Sequence, residues 1–166
     1  MDLVQFRSNR FFGRSIMAVT GEKFSHSTVA FRFPIYETER VWIIEAVSNG
    51  LVLRSLSTVL ANYNGAAMWF PTKPTEHMYR MSAAAWLLER IDKPDYSGYD
   101  WLGCASHLRE LVHLHPDLAS DGRLWCTEAI FLAFRDGALH PRLQKMEYAP
   151  VPGNPMLDLR IWEKEG

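Results

Sequence analysis

The chain has 166 residues, 48% of them hydrophobic and 22% charged, which is the composition of a domain with its own core rather than of a disordered linker. Lys and Arg number 18 against 19 Asp and Glu, a formal net charge of −1, so no general cationic excess is available to neutralise a nucleic-acid backbone. Two cysteines, Cys104 and Cys126, are too few for the disulfide framework of a small secreted domain and are expected as free thiols.

The elements follow in chain order. Asp2 to Arg7 alternates around Leu3, Val4 and Phe6 and reads as a short strand. Charges at Asp2, Arg7, Arg10 and Arg14 leave no apolar stretch of signal-peptide type, and no run approaches the ~18 apolar residues of a membrane span. Phe11 to Val19 has the spacing of an amphipathic helix closed by Gly21. Ser27 to Phe33 is β-branched and aromatic, with Pro34 expected to interrupt it. Val41 to Val47 is the clearest strand, Asn49-Gly50 is a hairpin signal, and Leu51 to Leu56 returns. A further strand follows Gly65.

The composition then turns helical. Glu76 to Ile91 carries Met78, Met81, Ala85, Leu88 and Ile91 at helical spacing, Tyr99 to His115 is a second helix stopped by Pro116, and Leu124 to Phe134 is a third, ended at Asp136-Gly137. Pro150, Pro152 and Pro155 mark an extended tail that finishes in a strand through Leu159 to Trp162. Strands first and helices later predict an α+β fold, an antiparallel sheet of about five strands covered by helices, in a single domain over 1–166.

Three positions stand out chemically. Cys126 falls at the start of a helix, where unpaired N–H groups favour a thiolate and can hold an oxyanion; its alternative is a small buried hydrophobe. Glu45 interrupts an apolar strand, so its carboxylate must be exposed, paired or functional. His26 opens the preceding strand. Side chains alternate along a strand, so His26 and Glu45 share a face only if paired positions sum to an odd number, as when His26 or Thr28 stands opposite Glu45. In that register the carboxylate orients the imidazole toward a nucleophile.

Other groups carry less. His113 and His115 lie about 200° apart on a helix and cannot chelate one metal from one face, and with His107 they are read as helix-end histidines. Tyr96, Tyr99 and Trp101 are read as core. No CxxC, HExxH, phosphate-binding glycine loop or GxSxG elbow occurs, and no cofactor is expected.

The order His, Glu, Cys, carried by LVQF, FFGRSIMAVTG, FSHSTVAF, IIEAVSNGLVLRSL and WCTEAI between Asp2 and Phe134, resembles the circularly permuted NlpC-type papain-like cysteine peptidases of the YiiX-like branch. The resemblance implies a permuted papain-like fold with Cys126 as nucleophile, His26 as general base and acid, and Glu45 as the orienting group. Thr127 and Glu128 stand where the family has Ser-Glu. The departures are Asn49-Gly50-Leu51 and Trp125, a tryptophan expected to narrow the approach to the sulfur. The implied activity is a cysteine hydrolase, an amidase or peptidase acting on a peptide or cell-wall-type amide. The implied location is cytoplasmic, with phage-borne or dedicated export as the route to a wall. Two alternatives remain. One is a lipid acyltransferase or phospholipase of the lecithin–retinol acyltransferase type, whose Asn-Cys-Glu-His segment WCTEAI does not match. The other is a catalytically silent binding module on the same fold.

Overall fold

A computed structural model describes residues 1–35, 38–91, 93–96, 98 and 125–145. In chain order these form β1 (Asp2–Ser8), α1 (Phe11–Thr20), β2 (His26–Ile35), β3 (Thr38–Val47), β4 (Gly50–Ser55), α2 (Leu56–Ala61), β5 (Gly65–Phe70), α3 (His77–Leu88) and α4 (Cys126–Leu132). The five strands make one antiparallel sheet in the order β4-β3-β2-β1-β5, an α+β arrangement. The expected helix at Tyr99 to His115 and the tail strand at Leu159 to Trp162 lie outside the described residues, as do Cys104, His107, His113 and His115.

Alternation along the strands sorts the sheet into two faces. Leu3, Val29, Ile44, Ala46 and Leu51 point to one, where α3 and α4 bury them under Ala83, Leu87, Ala129, Ile130, Phe131 and Phe134. Val4, Phe6, Ala30 and Ile43 point to the other, which α2 covers with Val59 and, in part, Leu56. Full burial of each large aliphatic side chain in these layers is worth roughly 1.5–3 kcal/mol, which is what holds the helices to the sheet.

Local chemistry accounts for most boundaries. Gly21 closes α1 at φ 71°, a left-handed cap that a side chain would strain. The hairpin between β3 and β4 turns through Ser48 and Asn49, with Gly50 at φ 98° already paired to Val47. The expected interruption at Pro34 does not occur: Pro34 lies inside β2, opposite Glu39. The reason is that β1 accompanies β2 only as far as Ala30, so beyond it the strand is flanked by β3 alone, and proline is tolerated in a strand lacking a second neighbour.

Two helical expectations shift. Leu56, expected to end a strand, begins α2. In α3 the buried residues are Ala83 and Leu87, whereas Met78 and Met81 are 73% and 71% exposed. The methionines repeat at helical spacing but on the solvent side. The Leu124 to Phe134 helix is shorter at both ends and continues into a wider turn over Ala133–Gly137, with Gly137 packed against the Trp86 ring where a Cβ would not fit. Among the described residues no helix is long and apolar enough to cross a membrane.

Candidate active site

The entry to β2 is pinned before the strand begins. The Ser25 N–H donates to the Phe6 carbonyl at 2.9 Å, and the Ser25 hydroxyl accepts the Ser8 N–H at 3.2 Å. His26, next in the chain, therefore emerges at the end of the sheet, paired with Phe6 and with its ring 5.9 Å from the Phe6 ring. Val29 stands opposite Ile44, which is the odd-sum register. It places His26, Thr28 and Glu45 on one face, and the Thr28 hydroxyl fastens it by donating to the Ile44 carbonyl at 2.5 Å.

Glu45 meets the ring directly. His26 Nε2 lies 2.9 Å from Glu45 Oε2, and Arg54 Nη1 donates to Glu45 Oε1 at 2.9 Å. Glu45 is only 5% exposed, so its charge is buried but doubly compensated. Burial pushes its carboxyl up, and the His26 and Arg54 contacts outweigh that and hold it below the usual range. Arg54 was not anticipated from the sequence. The hairpin could have revealed it: with Val47 opposite Gly50, Ile43 falls opposite Arg54, diagonal to Glu45 on the same face.

Cys126 opens α4. Trp125 precedes it in extended conformation, and its N–H donates to Glu128 Oε2 at 3.3 Å, so Glu128 secures the helix start. The sulfur lies 3.7 Å from the Thr127 hydroxyl, and the His26 ring and the Ser27 backbone N–H are near enough to act on its charge. With Nε2 committed to Glu45, Nδ1 is the ring atom left for the thiol. The structure thus brings Cys126, His26 and Glu45 together and adds Arg54, Ser27 and Thr127. Ser27 acts through its backbone and has no side-chain signature in sequence.

The meeting has an unusual route. Cys126 belongs to the core layer with Val29 and Ile44, while His26 shares the opposite face with Phe6 and Glu45. His26 is the first residue of β2, so its ring sits at the margin of the sheet rather than in the middle of one face.

Electrostatically the trio behaves as a unit. Burial raises the Cys126 thiol, but the positive ring, its hydrogen bond, the Ser27 N–H and the Thr127 hydroxyl bring it down to about 7. Burial lowers the His26 ring, but the Cys126 thiolate and the Glu45 carboxylate raise it to about 10. Each charge favours the other, so the interaction pushes the two groups toward thiolate and imidazolium.

His26 and Glu45 line a cleft of about 560 Å³ whose walls include Phe12, Ile16, Tyr63 and Arg10. Cys126 is 2% exposed and is not part of that wall. Trp125, expected to narrow the approach, is 1% exposed in the core and does not line the cleft either. A larger cavity of about 620 Å³ on the Val4 and Ala30 side of the sheet contains none of the three residues. Among the described residues no three His, Cys, Asp or Glu side chains converge as metal ligands. No protein-family model matches the chain, and no curated protein matches it.

Proposed function

We propose that the chain is a cysteine hydrolase of amide bonds, an amidase or peptidase with a permuted papain-like arrangement of its catalytic residues. The observation that carries this reading is the bond from His26 Nε2 to Glu45 Oε2 at 2.9 Å, on a ring whose charge bears on the Cys126 thiol.

In this mechanism the Cys126 thiolate attacks the scissile carbonyl carbon, forming the S–C bond. The oxygen takes the negative charge within reach of N–H groups in the first turn of α4, which lack intrahelical acceptors. The tetrahedral intermediate collapses, the C–N bond breaks, and the His26 imidazolium gives its proton to the departing amine. Neutral His26 then takes a proton from water as the oxygen attacks the thioester, releasing the carboxylic acid and restoring the pair. Glu45 keeps the ring oriented and stabilises its charge, and Arg54 holds Glu45. Because the sulfur is screened from the cleft, acylation requires the His26 ring or the first turn of α4 to yield by a side chain's width.

The test is thiol reactivity followed by peptide mass mapping. Iodoacetamide near pH 7 is expected to label Cys126 well ahead of Cys104, and His26→Ala to slow Cys126 by about 10²-fold, the usual scale for loss of a positioned base. Equal, slow labelling of both cysteines, unaffected by His26→Ala, would overturn the reading. Release of amine from peptide and cell-wall-type amides, absent in Cys126→Ser, would identify the substrate.

A further inference from the structure

Residues 3–21 contain three arginines, Arg7, Arg10 and Arg14, and no acidic residue. All three are exposed, and none forms an ion pair among the described residues. Between them stand Phe11 and Phe12, 87% and 54% exposed. An 87% exposed phenylalanine in an ordered helix is costly to leave in water.

Phe11 cannot turn inward. Gly13 is the buried residue of α1 and packs so closely on Ser8 that a Cβ would collide with it and crowd the Ser25 hydroxyl. Phe11, two positions earlier, lies about 200° round the helix and so points away from the sheet. The turn before it is tied as well: Asn9 N–H donates to the Asn64 carbonyl at 3.0 Å and Arg10 N–H to the Ser8 hydroxyl at 3.1 Å. Arg14 follows Phe11 at three residues and Arg10 at four, so cations flank the aromatic tip.

We propose that this tip docks the protein on an anionic phospholipid surface, with Phe11 entering the headgroup boundary and the Arg10 and Arg14 guanidiniums pairing with lipid phosphates. An apolar tip framed by cations on a chain of net charge −1 complements such a surface locally, whereas the molecule as a whole does not. Arg10 and Phe12 also line the cleft beside His26, so docking sets the cleft mouth against the lipid. The proposal stands whether or not the hydrolase reading does.

The test is co-sedimentation of Cys126→Ser protein, which separates binding from turnover, with phosphatidylcholine vesicles carrying 0 or roughly one-third phosphatidylglycerol. Binding is expected only to the anionic vesicles and is expected to vanish at high salt. Arg10→Gln and Arg14→Gln should each weaken it about fivefold, and Phe11→Ser by about tenfold or more, with unchanged thermal unfolding because these side chains are exposed. No binding at low salt, or binding indifferent to all three substitutions, overturns the proposal. So does a dimer lost in Phe11→Ser, or equal binding of a DNA duplex, when vesicle binding is absent.

Discussion

Arg54 occupies one oxygen of Glu45 at 2.9 Å and leaves the other to His26 at the same distance. The carboxylate is therefore held from both sides inside the sheet, and the ring it orients has one nitrogen left for Cys126. Arg54 is 47% exposed, so water screens its share of that field.

Loss of the Glu45 charge should cost more than loss of the arginine. Glu45→Gln keeps the shape but removes the charge that stabilises the imidazolium. Cys126 alkylation near pH 7 is expected to fall by 10² or more, in line with other positioned acid–base groups. Arg54→Met is expected to fall only about twofold to fivefold, as for a partly exposed charge pair. Rates measured for both variants under identical conditions check the order. Arg54→Met slower than Glu45→Gln would contradict it.

The pH dependence follows from two opposite shifts. Cys126 is lowered to about 7 and His26 raised to about 10, so alkylation should rise through about 7 and hydrolysis should fall again near 10. For stability the signs differ. The His26 contribution is complete below the ordinary imidazole value of 6.5 and is lost as pH climbs through about 10. The Cys126 contribution is present above the ordinary thiol value of 9.0 and is lost as pH falls through about 7. In Cys126→Ala the His26 ring loses the thiolate and should titrate at lower pH, which an NMR titration of its ring protons reads directly.

Reagent size should matter at the sulfur. Cys126 is 2% exposed and absent from the cleft wall, so iodoacetamide should react while a bulky aromatic disulfide lags far behind. The measurement is the ratio of the two rates against that of a small exposed thiol. An equal ratio would mean the sulfur opens freely to the cleft.

Gly13 is a packing requirement with a calculable sign. Alanine in a helix is intrinsically better than glycine by roughly 0.5–1 kcal/mol. Here, however, the new methyl would meet Ser8 Cβ, which sits on the backbone of β1 and cannot swing aside. Overpacking of this kind typically costs 1–3 kcal/mol, so Gly13→Ala is expected to destabilise by about 1–2 kcal/mol net. Denaturant melts check it, and Ser8→Gly in the same chain should recover part of the loss.

A second buried pair serves as a control away from the thiol. His140 Nε2 and Glu76 Oε2 lie 2.8 Å apart, 2% and 8% exposed, joining the start of α3 to the segment after α4. Glu76→Leu strands the buried ring and should cost about 1–3 kcal/mol. Cys126 alkylation, measured well below the melting point, should stay unchanged.

Much of the fold was legible because periodicity survives any particular packing. β1, β3, the β3–β4 hairpin and β5 follow from alternation and turn chemistry, and α1 ends at Gly21 as its spacing implies. The misreadings have a common cause. Pro34 forbids a ladder bond only where a second strand is present, and Met78 and Met81 form a stripe that spacing alone cannot assign to core or solvent. Both answers depend on neighbours distant in the chain.

By itself the order of residues singled out His26, Glu45 and Cys126 as candidates, and alternation along the strands required an odd register for the first two to share a face. Only the tertiary structure decided the register, with Val29 opposite Ile44. It also supplied Arg54 to the second oxygen of Glu45 and set the Cys126 sulfur where the charge of the His26 ring acts on it. Alternation and spacing are properties of a local segment, whereas register and the docking of α4 are settled by contacts between segments up to a hundred residues apart.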